Sequence, residues 1–310
     1  MSNGNELGGF LSTGILQGLK AGMSFARMES GLKKGYNNGI RRHDRVQDPT
    51  VGLLQNKKPE VFWLADYCAT STFPPTNGSN VTSIYNLVNT AQNLTIAQSP
   101  IYRSNGVYNN RGYVDFNTGN DIAYTPVNYT GTKELTVAML VRFSSLVTNR
   151  VLFYRVFSTG ANTVGDIQIT VPAANKIRAS MYGNAGTLSV YETFYPGLDT
   201  LATVTNGTNN NEWFLVTVKF DLNQKYGPGS EIEIFINGMK NQLPITTTFT
   251  PPSVATNMPN TFMSFGNNAP TSITGGGSQI AGAIVFDYIL SNMEQIRIEN
   301  FFRYYYGRRF

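Results

Sequence analysis

Two glutamates one residue apart, Glu231 and Glu233, are this chain's nearest approach to a pair of acid–base carboxylates. Glycoside hydrolysis needs two carboxyl groups flanking the scissile bond, and a strand carrying both on one face would present them together. Phe235 and Ile236 follow with no third carboxylate in place, so Glu231 and Glu233 read as solvated charges on one sheet face. Other reactive types are scarce: His43 is the single histidine and Cys68 the single cysteine. That excludes His-cluster zinc sites, intrachain disulfides and CxxC pairs. A Ser-His-Asp or Cys-His hydrolase would depend on His43, which sits in the basic run Arg41-Arg42-His43-Asp44-Arg45. We expect neither enzyme nor cofactor. Asp66, Asp115 and Asp121 carry the hard oxygens that a structural calcium prefers. They form no dense cluster, which leaves turn capping as their expected role. Tyr102, Tyr108, Tyr113 and Tyr182 fall near predicted loops, where their rings could stack on sugars, although most such aromatics fill a core. The terminal Arg303-Tyr-Tyr-Tyr-Gly-Arg-Arg-Phe310 has groups for stacking on bases and pairing with phosphates, set against plain docking of a closing helix. Five N-x-S/T triplets, at Asn77, Asn80, Asn93, Asn128 and Asn206, are what a chain rich in Asn and Thr generates by chance.

The elements that must position these residues are mostly strands. The 310 residues hold 41% hydrophobic and only 14% charged side chains, with 30 Gly, 17 Tyr and 19 Phe. Soluble domains carry about 25% charge, and here polar loop formers replace it. That mixture suits short strands joined by polar loops. Candidate strands are Val61–Leu64, Val114–Phe116, Leu135–Phe143, Val151–Val156, Asp166–Val171, Lys176–Met181, Trp213–Asp221, Glu231–Ile236, Thr261–Phe265 and Gly282–Ile289. Two alternate clearly. Ile232, Ile234 and Ile236 oppose Glu231 and Glu233, while Phe214, Val216, Val218 and Phe220 oppose Trp213, Leu215, Thr217 and Lys219. Asn237-Gly238 signals a hairpin. Ser291-Asn-Met-Glu294 fits a capping box that opens a helix of about twelve residues. Ile296, Phe301 and Tyr304 or Tyr305 are expected to dock it on the sheet, with Gly307 ending it.

The N-terminal region reads differently. Residues 1–58 hold nine Lys or Arg against four acids, whereas residues 59–310 balance at fifteen of each. The net charge of +5 therefore belongs to an arm, and such asymmetry points to an acidic partner. Within residues 1–34, Leu7, Leu11, Ile15, Leu19 and Met23 recur every four residues, as a helix requires. Gly14, Gly18 and Gly22 form a GxxxGxxxG ladder on the apolar side; each costs about 1 kcal/mol of helix propensity, which suggests close backbone packing. Lys20 and Arg27 interrupt the stretch, leaving fewer than the roughly 20 apolar residues of a membrane span, and no basic segment precedes it as in a signal peptide. Two alternatives stand: an assembly or anchoring helix, with Leu11, Gly14, Ile15, Gly18, Leu19, Gly22 and Met23 as its contact set, or an amphipathic helix lying on a surface. Residues 35–60 read as a tether, with Lys33, Lys34, Arg41, Arg42 and Arg45 forming a basic arm that would meet nucleic acid or lipid.

The order of motifs in residues 61–310 resembles the laminin-G-like (concanavalin-A-like) jelly roll of bacteriophage and bacterial surface proteins. Phe62-Trp-Leu-Ala-Asp66 resembles its opening strand and acidic turn. Pro100-Ile-Tyr102 with Gly112-Tyr-Val-Asp-Phe116, Leu135–Phe143, Trp213-Phe-Leu-Val-Thr-Val-Lys-Phe-Asp221, Ile234-Phe-Ile-Asn-Gly238 and Ile280–Ser291 are similar to successive later passages. The resemblance implies a mainly β jelly-roll sandwich, closed by a short C-terminal helix. It leaves room for a loop-borne calcium or sugar site without identifying residues, and the arm lies outside it.

These readings combine into three functional expectations. The first is a non-enzymatic virion structural protein of a bacteriophage: a head fibre or spike, a tail appendage or a capsid shell component. It would be homo-oligomeric and bound to other virion proteins by its N-terminal helix, and its jelly roll would meet host glycan. The second is a cell-surface carbohydrate-binding module. The third, a glycan-cleaving enzyme, is disfavoured by the carboxylates.

Overall fold

A computed structural model describes residues 59–307, apart from segments 71–74, 117–120, 126–128, 144–149, 157–164, 173–175, 185–186, 195–212, 252–257 and 268–277 and positions 132, 226 and 241. The expected N-terminal helix, the basic arm and His43 lie outside the described residues. The first strands are short: β1 (Val61–Leu64), β2 (Cys68–Ala69), β3 (Ser83–Ile84), β4 (Leu94–Ala97), β5 (Ile101–Val107), β6 (Arg111–Phe116), β7 (Ile122–Tyr124) and β8 (Tyr129–Gly131). Then come β9 (Glu134–Phe143), β10 (Arg150–Val156), β11 (Ile167–Val171), β12 (Lys176–Tyr182) and β13 (Leu188–Phe194). The last are β14 (Phe214–Asp221), β15 (Ile232–Ile236), β16 (Met239–Lys240), β17 (Leu243–Thr247), β18 (Met258–Phe265) and β19 (Ser278–Phe286), followed by helix α1 (Asn292–Tyr306).

These strands form two antiparallel sheets packed as a sandwich. One sheet runs β16-β15-β14-β9-β19-β6-β5, with β1 sharing the β19 edge; the other runs β17-β13-β12-β11-β10-β18-β7-β4-β3-β2, with β8 beside β18. The inner face of the first sheet follows the alternation of its strands. Val216, Val218 and Phe220 lie opposite Ile236, Ile234 and Ile232, and all six enter the core between the sheets. From the facing sheet, Ile167, Ile169, Ile177, Ala179 and Met181 complete it. The final strand begins at Ser278 and ends at Phe286, earlier than its apolar run suggested, because Ser278 and Gln279 pair with Phe143 and Arg142. A register shift between Ile280 and Gly282 reverses the facing of the strand at that point. Gly282 sits opposite Leu64, where a Cβ would lie 2.8 Å from Leu64 Cδ2 and 2.9 Å from the Trp63 carbonyl oxygen, so β1 approaches too closely for any side chain.

A third layer, α1, covers the outward face of the first sheet. Its start is the expected capping box: the Ser291 N–H donates to Glu294 Oε2 at 2.8 Å, and the Glu294 N–H donates to Ser291 Oγ. Gly307, at φ 72°, takes the left-handed turn that ends the helix and donates its N–H to the Arg303 carbonyl. The buried side is Ile298, Phe301, Phe302, Tyr305 and Tyr306. Ile296 and Tyr304 point to solvent instead, which corrects their expected docking: the helix is rotated so that the 298/301/302/305 stripe meets Trp213, Leu215, Ala281 and Ile284. Burying five large side chains contributes on the order of 10 kcal/mol before ordering entropy is subtracted. Asp66 fixes the helix C-terminus. It accepts hydrogen bonds from Tyr305 Oη (3.0 Å), Tyr102 Oη (3.1 Å) and the Gly112 N–H (2.8 Å), while Arg111 lies 3.6 Å away and stacks over the Tyr305 ring.

Candidate functional site

The two glutamates do not form a pair. Glu233 faces outward and is bracketed by Lys219 (3.6 Å) and Lys240 (2.6 Å). Glu231 precedes β15 rather than belonging to it, so the alternation does not govern it. It is fully buried, accepting hydrogen bonds from Tyr191 Oη of the facing sheet (3.2 Å) and the Gly229 N–H (3.0 Å). The expectation that both are solvated on one face is therefore corrected, and the separation of their surroundings removes the retaining-glycosidase geometry. A cleft of about 340 Å³ beside them is lined by Lys219, Asp221, Glu233 and the Leu290–Asn292 start of the helix. Its charges are internally matched: Asp221 accepts the Asn223 and Lys225 N–H groups, and Lys219 donates to Asn292 Oδ1.

The aspartates are equally separate. Asp66 serves the helix network, Asp115 lies 3.6 Å from Arg103, and Asp121 accepts the Ser99 N–H at 3.1 Å. No group of three or more potential metal ligands occurs among the described residues. Cys68 is buried in the core, and burial, then the Asp66 charge, pushes its thiol up to about 12, leaving it protonated and unreactive at neutral pH. Tyr102 and Tyr113 are buried. Tyr182 differs, standing half-buried on the outward face of β12.

That outward face is the site with chemistry to offer. In Lys176-Ile-Arg-Ala-Ser-Met-Tyr182, the apolar residues Ile177, Ala179 and Met181 enter the core, so Lys176, Arg178, Ser180 and Tyr182 share the opposite face. The neighbouring Ile167-Gln-Ile-Thr-Val171 behaves likewise, turning out Gln168 and Thr170. Antiparallel register then assembles rows across strands: Thr170 beside Arg178 beside Glu192, and Gln168 beside Ser180 beside Val190, with Tyr182 opposite Leu188 at the end. Sequence reasoning missed Lys176, Arg178, Glu192, Gln168 and Thr170 as site residues. Their alternation was a readable signal; the register that places them side by side was not.

Glu192 organises the cations. Its carboxylate, largely buried, accepts from Lys176 Nζ at 3.1 Å, from Arg178 Nε at 2.8 Å and from Arg178 Nη2. Burial alone would raise this carboxyl, but hydrogen bonds and charge from Arg178 and Lys176 outweigh it and hold it below the usual range. The two cations remain 43% and 40% exposed, so the clamp orients them without closing them off. Burial, followed by the nearby Asp166 charge, raises the Tyr182 phenol against the opposing pull of Arg178, keeping it neutral as a hydrogen-bond donor. Asp166 is itself held in the interior by Tyr154 Oη at 2.8 Å. The surface thus combines a ring edge, an oriented guanidinium, an ammonium, an amide and a hydroxyl.

No known protein family's sequence profile matches this chain, and no curated protein matches it. Among solved structures, it resembles the carbohydrate-binding domain (CBM40) of the Ruminococcus gnavus IT-sialidase bound to α2,3-sialyllactose. The identity is 14% and the TM-score 0.38, over 55% of this chain and 84% of that one. It also resembles the binding domain of Paraclostridial mosquitocidal protein 1 (12%, TM-score 0.49, 78% of this chain and 52% of that one). A third is the botulinum neurotoxin serotype D ligand-binding domain in complex with N-acetylneuraminic acid (16%, TM-score 0.45, 76% of this chain and 51% of that one). The chain spans about half the length of these two toxin domains. At such identities and scores the likeness concerns the course of the chain and says nothing of its ligand.

Proposed function

We propose that this chain is a non-enzymatic carbohydrate-binding module built on a concanavalin-A-like jelly roll, and that it holds glycan on the outward face of β11, β12 and β13. One observation carries this reading. The exposed face brings Tyr182, Arg178, Lys176, Gln168 and Thr170 together on adjacent strands, whereas the other sheet's outward face is closed by α1. A sugar ring offers an apolar C–H side and a rim of hydroxyls. It is matched by an aromatic ring beside planar, pre-oriented donors and acceptors. Arg178, pinned by Glu192, loses little freedom when it binds, which lowers the entropy cost of contact. The virion reading rests on residues 1–58, and no feature of the described body favours it over the module.

The test is a glycan microarray probed with the full chain, followed by titration calorimetry with lactose, a neutral oligosaccharide and α2,3-sialyllactose. We expect retention of at least one glycan class. Tyr182→Ala and Arg178→Ala should each weaken Kd about tenfold or more, a loss of roughly 1.4 kcal/mol, with unchanged circular dichroism. A chain that retains no glycan, or variants that bind as well as the parent, would overturn the assignment.

A further inference from the structure

Helix α1 buries one side and leaves an apolar stripe on the other. Met293 is 64% exposed, Ile296 46% and Tyr304 57%. At 100° per residue these three and Asn300 fall within about 80° of the helix circumference, so they form a single ridge. Among the described residues nothing packs over it. Exposed large apolar side chains aligned in this way mark a surface that meets a partner.

We infer that this ridge is the docking site for the chain's own N-terminal segment, residues 6–34, folded back in cis. Two observations select that occupant. First, the described chain begins directly under α1: the Glu60 N–H donates to the Val285 carbonyl at 2.8 Å, and Phe62 meets Phe301 edge-on with ring centroids 5.5 Å apart. Residues 35–58, as a flexible tether, have a root-mean-square reach of roughly 27 Å. The helix they must reach is only about 22 Å long and lies over the tether's attachment point, so the effective concentration of the segment there is high. Second, the shapes correspond. Gly14, Gly18 and Gly22 recur once per turn and would leave a groove along a helical segment. Met293, Ile296 and Tyr304 are large side chains at turn-like spacing that can enter such a groove. The docking is independent of glycan binding, which uses the opposite sheet.

Hydrogen exchange of the full chain, read by mass spectrometry, tests the inference. Backbone amides of residues 7–32 should exchange at least about tenfold more slowly than in a peptide of the same sequence. The double variant Ile296→Asp/Tyr304→Asp, altered only at exposed positions, should abolish that protection while β9, β14 and β19 exchange as before. Gly18→Leu should abolish it too, although Leu favours helix more than Gly does; a helix protected merely by its own propensity would become better protected. Absence of protection in the parent, or its persistence in both variants, refutes the docking. Protection that fades on dilution together with a falling molecular mass would show exchange between copies and overturn the cis arrangement.

Discussion

Where the described chain begins, two carboxyl groups are held together, and the consequence runs against the usual acid-denaturation trend. Glu60 is anchored by its backbone: its N–H bonds to the Val285 carbonyl, and its own carbonyl accepts from Asn86 Nδ2 at 3.0 Å. Burial, then the charge of Asp287 and a hydrogen bond with it, raises the Glu60 carboxyl from 4.5 to about 7. Below pH 4.5 the group is protonated in both folded and unfolded chains and costs nothing. Between pH 4.5 and 7 the unfolded chain releases the proton while the folded chain keeps it, so stability falls as pH rises; above 7 the full cost persists. The displacement corresponds to roughly 3.4 kcal/mol at about 1.4 kcal/mol per decade. Solvent screening of a partly exposed group reduces this to about 1–2 kcal/mol.

Glu60→Gln preserves the shape and can donate its amide to Asp287 without taking on charge. Urea unfolding should therefore show the variant more stable than the parent by about 1–2 kcal/mol at pH 8, and equal to it within a few tenths at pH 4.5. Parent and variant share every other titrating group, so the difference between their curves isolates this one. An equal gain at both pH values would mean packing rather than charge, and no gain at pH 8 would refute the reasoning outright.

Two further outcomes follow from the described contacts. Tyr305→Phe removes only the 3.0 Å hydrogen bond to Asp66, which keeps its bonds from Tyr102 and Gly112; we expect a loss of about 1 kcal/mol in urea midpoint analysis, and a loss above about 3 kcal/mol would mean that the network does not survive without the hydroxyl. Cys68, buried with its thiol raised to about 12, should resist a thiol reagent at pH 8 in the folded chain and react at once in denaturant; rapid labelling of native protein would contradict its placement.

The strands were legible wherever a residue's neighbours along the chain decide its environment. Phe214 to Phe220 and Ile232 to Ile236 announce their facing by alternation, and Ser291 with Glu294 announces the helix start because both partners of a capping box lie within one turn. What depended on distant partners was not legible. Glu231 turns inward because Tyr191, forty residues away, meets it across the sandwich. Asp66 draws its role from Tyr305, 239 residues later. Ile298 rather than Ile296 faces the sheet because the rotation of α1 is fixed by what Trp213, Leu215 and Ile284 leave to fill. The glycan face was half legible: Lys176–Tyr182 shows its two sides plainly, but the juxtaposition of Arg178 with Thr170 and Glu192 is a matter of register.

The difference between β12 and β14 explains why binding belongs on one sheet and not the other. In β14 every residue from Phe214 to Asp221 is buried, because its inner side chains fill the sandwich while Leu215 lies in the cluster under α1. Lys219 has only 4% of its side chain exposed, and burial lowers its ammonium against the upward pull of Glu233. Polar groups placed there are committed to structure. In β12 the same period-two pattern has nothing stacked on its outward side, so Lys176 and Arg178 keep two-fifths of their surface in solvent at little cost. A ligand on the helix-covered sheet would first have to displace Phe301, Phe302 and Tyr305, forfeiting several kcal/mol of burial. A ligand on β11–β13 displaces only water, and it meets donors already aimed by Glu192.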